Sequence, residues 1–512
     1  MTTTIDRPAN AIDPAAPEHP QAGASPASGT AVSWEPGVPG AYTRNLRFGE
    51  WISGPVTPLF ESWLLTAMEE ELHRQLRTRL GQAAPRPLHV VINGWYFYSI
   101  SWMAPGAMAR NLPRMLARAV KEPRGVAAIV PPTVRFSIPY FEREWREDLL
   151  PRYRAATAEA ATWVEQAPVT DLPALVDRLA TLAGEYFTSI AAFAGAAYKM
   201  EMNLARFHAA NVRPVTGTSH LPLVSGFAPP TDPDRYAVVS LDWSFEPAPP
   251  VPAGERRRAF DHARVVRDRE AAEAAAFAAL ASKPARLRAF TKLLRDTQRL
   301  VPIREAHVAE LTLPWPVMRR AVLRMGEALA AAGVIGAADD VFLLTKAEVL
   351  AGLSAPAHAP IDTATRRRTL AEQARLSPPL YVGKLSPIVR RLIATFGSIV
   401  GATRSDRAIV SGIPAAAGTA TGVVRVIRGP EAFDELRDGE ILVAPVTAPA
   451  WTPLFLRAAA VVTDVGSAAA HASVIAREYG IPAVVGCGDA TARLRTGMRV
   501  TVDGSTGNVE AA

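Results

Sequence analysis

Between about Tyr42 and Arg390, apolar residues recur at steps of three and four, the spacing that lines one face of a helix. In DLPALVDRLATLAGEYFTSIAAFAGAAYKMEMNLARFHA, starting at Asp171, no proline follows Pro173, which predicts one long buried helix or a close pair. A second helical stretch is expected from about Glu255 through Leu300. The third begins near Arg304 and runs to Ala332. Pro314 and Pro316 are expected to kink or divide it, because proline lacks the amide hydrogen and crowds the preceding turn. One β element interrupts this region. In LHVVINGWYFYSI, from Leu88, Asn93-Gly94 supplies the positive φ angles of a tight hairpin. Its aromatic residues Trp95, Tyr96, Phe97 and Tyr98 either pack the hairpin on helices or line a ligand pocket.

After about Gly383 the pattern changes to short apolar runs separated by turn residues: GVVRVI, EILVAPV, AAVVTDV, PAVVGC and RVTVDG. A single clear helix starts near Ala468 and stops at Gly480, where Ile481-Pro482 cannot continue it. The expected fold class is therefore multidomain. A mainly α-helical domain over residues 41–383 is followed by a connector over 384–408 and a small α/β domain over 409–512. A connector of about 25 residues spans at most roughly 80 Å, so the last domain is physically free to move. Residues 1–40, rich in Pro, Ala, Gly and Ser, bury too little apolar surface to offset their ordering and are expected to be a disordered tail.

Composition narrows the function classes. The 512 residues suggest two or three domains, and 49% apolar content suits a compact, soluble chain. The single cysteine, Cys487, excludes an internal disulfide and a multi-cysteine metal centre; no metal site is expected. With no secretory pattern at the amino terminus and no long apolar run, a cytoplasmic protein without a membrane partner is expected. The net charge of +7 is spread along helices beside acidic residues, as in RRRAFDHARVVRDREAAE. That reads as solvated helix face, and no nucleic-acid partner is expected.

Candidate chemistry sits in VVTDVGSAAAHASVIAREYGIPAVVG, from Val461 to Gly486. A buried strand runs into a Gly-Ser turn, and His471 then falls in the first turn of a helix. Unpaired amides and the positive end of the helix dipole favour an anion there. Imidazole is substantially neutral near physiological pH, which leaves a ring nitrogen free to attack phosphorus. Thr463 and Thr452 are candidate hydroxyls for orienting the ring or phosphoryl oxygens, and Arg477 a candidate cation. A lone histidine at such a position is also commonly a surface or packing residue.

The wider pattern resembles the phosphohistidine swivelling (mobile) domain of phosphoenolpyruvate-utilising enzymes, approximately T-x-x-G-G-x-x-S-H-A, then an alanine-arginine pair and G-I-P-A-V-V-G. Thr463, Gly466, His471, Ala472, Ala476, Arg477 and Gly480 through Gly486 match it. Ser467 replaces the second glycine and Ala470 the serine before the histidine. The resemblance takes in GEILVAPVTAPAWTPLF, from Gly439, and essentially all of the last hundred residues. Upstream, NLRFGEWISGPVTPLF, from Asn45, and AAGVIGAADDVFLLTKAEVLAGL, from Ala331, resemble the acceptor-binding helical domain of the rifampicin phosphotransferase and phenylphosphate-synthase type.

That resemblance implies a phosphotransferase in which His471 takes up a phosphoryl group and passes it to a hydroxyl of a small organic acceptor, in one variant as activation for dehydration. Gly466 and Ser467 would support the phosphoryl group. Neither an ATP-grasp region ahead of Asn45 nor a Walker motif is read in this sequence. No cofactor is expected on this chain alone, and the donor is expected on an ATP-grasp partner that binds ATP and Mg²⁺. Acceptor-side candidates are Arg304, Glu305 and His307, at the expected start of VPIREAHVAEL, where the family carries a lysine at the position of Val308. A solvated amphipathic helix start explains the same residues. Two further readings stand beside the phosphotransferase: a phosphocarrier or regulatory module, and a degenerate homologue that binds a ligand without transferring phosphate.

Overall fold

The computed structural model describes residues 32–44, 51–52, 54–80, 86–101, 105–121, 139, 141–227, 240–246, 262–355, 360–385, 387, 405–468 and 470–512. The expected connector, 384–408, lies largely outside them, as do residues 1–31 of the expected tail. Residues 32–40 correct that expectation. Trp34 meets Phe97 edge-on at 6.1 Å between ring centroids, and Asn93 Nδ2 donates to Ser33 O at 2.8 Å.

The helical part contains α1 (Thr66–Leu80), α2 (Pro105–Lys121), α3 (Leu150–Trp163), α4 (Leu172–Asn211), α5 (His262–Leu280), α6 (Pro284–Glu310), α7 (Trp315–Ala331), α8 (Lys346–Ser354) and α9 (Thr363–Ala374). The long apolar pattern from Asp171 forms the single 40-residue helix α4. It is the spine of the core: Val176, Leu179, Ala183, Tyr186 and Phe193 pack there with Leu64, Trp145, Leu300, Met318 and Met325. The chain turns at residues 311–314, with Pro314 closing the turn and Pro316 in the first turn of α7. Pro302 does not break α6, because burial of Phe290, Leu294, Leu300 and Ile303 on one face outweighs one missing hydrogen bond. Arg304, Glu305 and His307 therefore sit inside α6, near its end, and not at a helix start.

Asn93 (φ 51°) and Gly94 (φ 80°) make the expected hairpin between β2 (His89–Ile92) and β3 (Trp95–Ser99). Its sheet is larger than the pattern showed. β1 (Ala41–Thr43) and β4 (Tyr381–Gly383) extend it in the order β2-β3-β1-β4. The four aromatic residues all pack: Trp95 and Phe97 on one face, Tyr96 and Tyr98 on the other.

The carboxy-terminal part is an eight-stranded sheet in the order β5-β12-β11-β7-β8-β9-β10-β6. These are β5 (Ala408–Ser411), β6 (Ile413–Ala416), β7 (Thr419–Val426), β8 (Ile441–Ala444), β9 (Ala460–Thr463), β10 (Ala483–Val485), β11 (Arg499–Asp503) and β12 (Asn508–Ala511). Strands β7 to β10 are parallel and the flanking pairs antiparallel. Alternation along β8 explains the two cores: Ile441 and Val443 face one, Leu442 and Ala444 the other. Helix α10 (His471–Tyr479) covers the Leu442 face through Ala472, Ile475 and Ala476. Leu442 has no exposed surface. Leu442→Ala should destabilise this domain by about 2–5 kcal/mol, read as a lower denaturant midpoint at unchanged slope. An unchanged midpoint would show that this face contributes little.

Candidate functional site

Strand β9 carries Val461 and Thr463 towards the α10 side, and the chain must then turn within a few residues for α10 to start over the sheet. Gly466 makes that turn possible. A Cβ there would stand 2.9 Å from Val485 Cβ and 3.2 Å from Thr463 Oγ1. Thr463 is fully buried and donates to Val465 O at 2.8 Å, closing the turn from below. Ser467 follows. Its carbonyl accepts from Ser473 Oγ at 2.6 Å and from the Ala470 amide at 3.0 Å. Thr463, Gly466 and Ser467 thus shape the turn, and Thr463 spends its hydroxyl there. Ser473, which the sequence reading passed over, ties that turn to α10; a hydroxyl in the first helical turn was the available signal.

His471 begins α10 with Ala470 as the N-cap, and no side chain caps this helix end. The first amides of a helix have no partners inside it, so this end presents N–H groups to an anion. His471 Nε2 lies 3.4 Å from Thr452 Oγ1, and that hydroxyl donates to Pro449 O at 2.7 Å. Phe455 meets the imidazole edge-on at 6.2 Å. Burial pushes the His471 pKa down to about 3, so the ring is neutral at physiological pH and retains a nucleophilic nitrogen.

Arg477 does not join this group, which corrects its expected role. A helix rises about 1.5 Å per residue, so Arg477 lies roughly 9 Å along the axis from His471. It is buried, donates from Nε to Ala415 O at 2.6 Å, and places Nη2 2.9 Å from Glu201 Oε1 on α4. Burial alone would raise the Glu201 pKa; Arg477, His220 and Arg304 override it and hold the carboxyl down at about 2. Arg304 is buried close to this cluster and bonds Glu305 Oε1 from Nε at 2.8 Å. His307 is elsewhere. It has no exposed surface, stacks on Trp145 at 4.0 Å, and contacts Ser189 Oγ through Nε2 at 3.1 Å. Burial lowers its pKa to about 3. The structure thus joins His471 to Thr452, with the Gly466 turn behind them, and sets Arg304, Glu305 and His307 apart in α6.

Glu201 and Asp464 are further buried carboxylates that the sequence reading missed. Asp464 follows Thr463 directly and accepts from the amide and hydroxyl of Thr491. Burial raises its pKa to about 6, against those bonds and the charges of Arg44 and Arg428. Among the described residues no group of three or more His, Cys, Asp or Glu is placed to hold a metal, and no helix is long and apolar enough to cross a membrane.

Residues 436–507, which hold the parallel strands β8 to β10 and α10, match the family model described as PEP-utilising enzyme, mobile domain. The chain resembles rifampicin phosphotransferase: it is 38% identical to that of Streptomyces sviceus over 197 residues, 38% of this chain and 21% of the relative. It is 39% identical over 191 residues to the uncharacterized phosphotransferase YvkC of Bacillus subtilis, covering 37% of this chain and 23% of that protein. Phosphoenolpyruvate synthase of Aeropyrum pernix matches at 51% over 104 residues, 20% of this chain and 13% of the synthase. The chain thus spans less than a quarter of the length of each of these relatives.

A histidine with a depressed folded pKa loses stability as pH falls, because the unfolded chain takes up a proton that the folded site refuses. For His471 that loss should develop between about 6.5 and about 3. Selective ¹³C labelling of the imidazoles should show the His471 resonance flat from pH 8 to 5 and absent from the set of histidines that titrate near neutrality. A midpoint near 6.5 would contradict the neutral ring.

Proposed function

We propose that this chain is a phosphotransferase component in which His471 accepts a phosphoryl group and delivers it to a hydroxyl of a small organic acceptor. The observation that carries the reading is the neutral His471 ring at the uncapped start of α10, backed by the Gly466 turn. In the first step a ring nitrogen attacks phosphorus and the donor's leaving oxygen departs. In the second the acceptor hydroxyl attacks the same phosphorus, its proton is lost, and His471 is released neutral. Splitting one transfer into two lets donor and acceptor bind at different places. The α10 amides stabilise the added charge.

The donor in this proposal is an ATP-grasp protein that holds ATP and Mg²⁺. The names of the relatives support phosphoryl transfer, and the resemblance of the carboxy-terminal motif supports the intermediate. We place the acceptor in the helical part, with Arg304 as the cation that meets the transferring group. Its buried guanidinium, held by Glu305 within α6, supports this. The aromatic packing around His307 weakens its candidacy as a base, because its ring is closed off by Trp145, Tyr186 and Phe193. Activation of the acceptor for dehydration is a variant of the same chemistry.

Incubated with ATP, Mg²⁺ and a cognate ATP-grasp protein, His471 should gain one acid-labile, base-stable phosphoryl group, seen by intact mass. His471→Asn should abolish the label and product formation while leaving the fold intact, since it removes the nucleophilic nitrogen at similar size. Turnover by His471→Asn would reject the intermediate. Self-phosphorylation of the isolated chain by ATP would reject the separate donor. Arg304→Ala should leave His471 labelling unchanged and slow delivery to the acceptor by about a hundredfold. Equal loss of both steps would remove Arg304 from the acceptor side.

A further inference from the structure

The helical part and the mobile domain meet through polar groups that each would bury at a cost without the other. Glu201 is 6% exposed in the apolar helix α4, with Arg477 Nη2 at 2.9 Å and His220 Nε2 at 3.9 Å. Next to Arg477, Glu478 Oε1 accepts the amides of Gly226 and Phe227 at 3.0 Å and 3.3 Å. Arg264 of α5 donates to Gly480 O at 3.2 Å. On a second front, Arg44 at the end of β1 lies buried over the Trp95 ring at 4.6 Å, and its charge acts on Asp464. The helical side thus brings Glu201, Arg264 and Arg44 towards the seam, and the mobile side Arg477, Glu478 and Asp464.

These contacts involve Arg477, Glu478 and Gly480, at the carboxy-terminal end of α10, the end opposite His471. The hydrogen bonds and ring contacts of His471 among the described residues come from Thr452 and Phe455 of its own domain. The central charge pair is also poorly aligned: Glu201 Oε1, Arg477 Nη2 and His220 Nε2 are close but make no well-directed hydrogen bond. Such a pair holds by charge alone and is weaker than a two-pronged arginine–carboxylate bond. It stays favourable only while water is excluded.

We propose that this surface is a releasable docking latch, in which Glu201, Arg264 and the Gly226 and Phe227 amides of the helical part grip the mobile domain by its back and keep it parked between transfers. The partner that fits this surface is the rear of the chain's own mobile domain, recognised through Arg477, Glu478 and the Gly480 carbonyl. Glu201 is a positioning residue. With Arg477 present its charge is balanced; when Arg477 leaves, water must replace it, so the domain is either docked and dry or released and wet. This proposal rests on the reading of His471 as a travelling phosphoryl carrier.

The test uses the full chain, with no donor, nucleotide or acceptor. In Glu201→Gln, hydrogen exchange at the Gly226 and Phe227 amides should accelerate by about tenfold or more, and the radius of gyration from small-angle scattering should increase. Far-ultraviolet circular dichroism should match the parent protein. Exchange and radius both unchanged in a folded Glu201→Gln would overturn the latch, as would parent amides that exchange at the free-peptide rate. If Glu201→Gln does not fold, Arg264→Ala combined with Glu478→Gln removes grip from the rim of the same surface. An unaltered radius in that protein overturns the proposal equally. These readouts see domain position only, so their failure leaves phosphorylation of His471 standing, and an unlabelled His471 leaves the latch standing.

Discussion

No side chain fits at Gly466, and that constraint sets the geometry of everything above it. The backbone there passes so close to Val485 on the neighbouring strand that a single added carbon would collide with it. Only because the chain can pass through this gap does β9 lead directly into the start of α10. Thr463 closes the turn from one side and Ser473 from the other, each with its hydroxyl on a backbone carbonyl. Their role is to fix where the helix begins. His471 inherits its position from that start, half-buried beside Thr452 and Phe455.

Charge is handled differently in the two halves of the mobile domain. At the start of α10 an anion is anticipated by the helix end, and the side chain present is uncharged. At the far end Arg477 and Glu201, drawn from two parts of the chain, are buried with Nη2 and Oε1 2.9 Å apart. The helix therefore separates the chemical end from the mechanical end along one short axis. Arg477 illustrates the division: its type fits a phosphate partner, yet its surroundings make it an anchor, bound to Ala415 O and Glu201.

What could be read in the sequence follows from how local the physics is. The hairpin at Asn93-Gly94, the unbroken α4 and the stop of α10 at Gly480 (φ 62°) depend on neighbours a few residues apart. The candidate histidine was legible for the same reason, because strand, turn and helix start are adjacent in the chain. Strands β1 and β4 were not, since three residues are too few to show a period and their partners lie far away in sequence. The stretches ending at Leu300 and beginning near Arg304 are one helix, α6, because burial along one face carries it through Pro302. Glu201 and Asp464 gave no local sign, as a carboxylate is interpretable only once its cation is known.

The docking contacts also bear on how the chain is made. The Gly226 amide meets Glu478 252 residues further along, and Glu201 waits still longer for Arg477. Domains generally fold as units while the ribosome is still adding residues, amino-terminal parts first. The helical part must therefore assemble around a carboxylate whose principal counter-ion has not yet been synthesised. Until it arrives, Arg304 is the other guanidinium acting on that carboxylate, and the last hundred residues complete the seam.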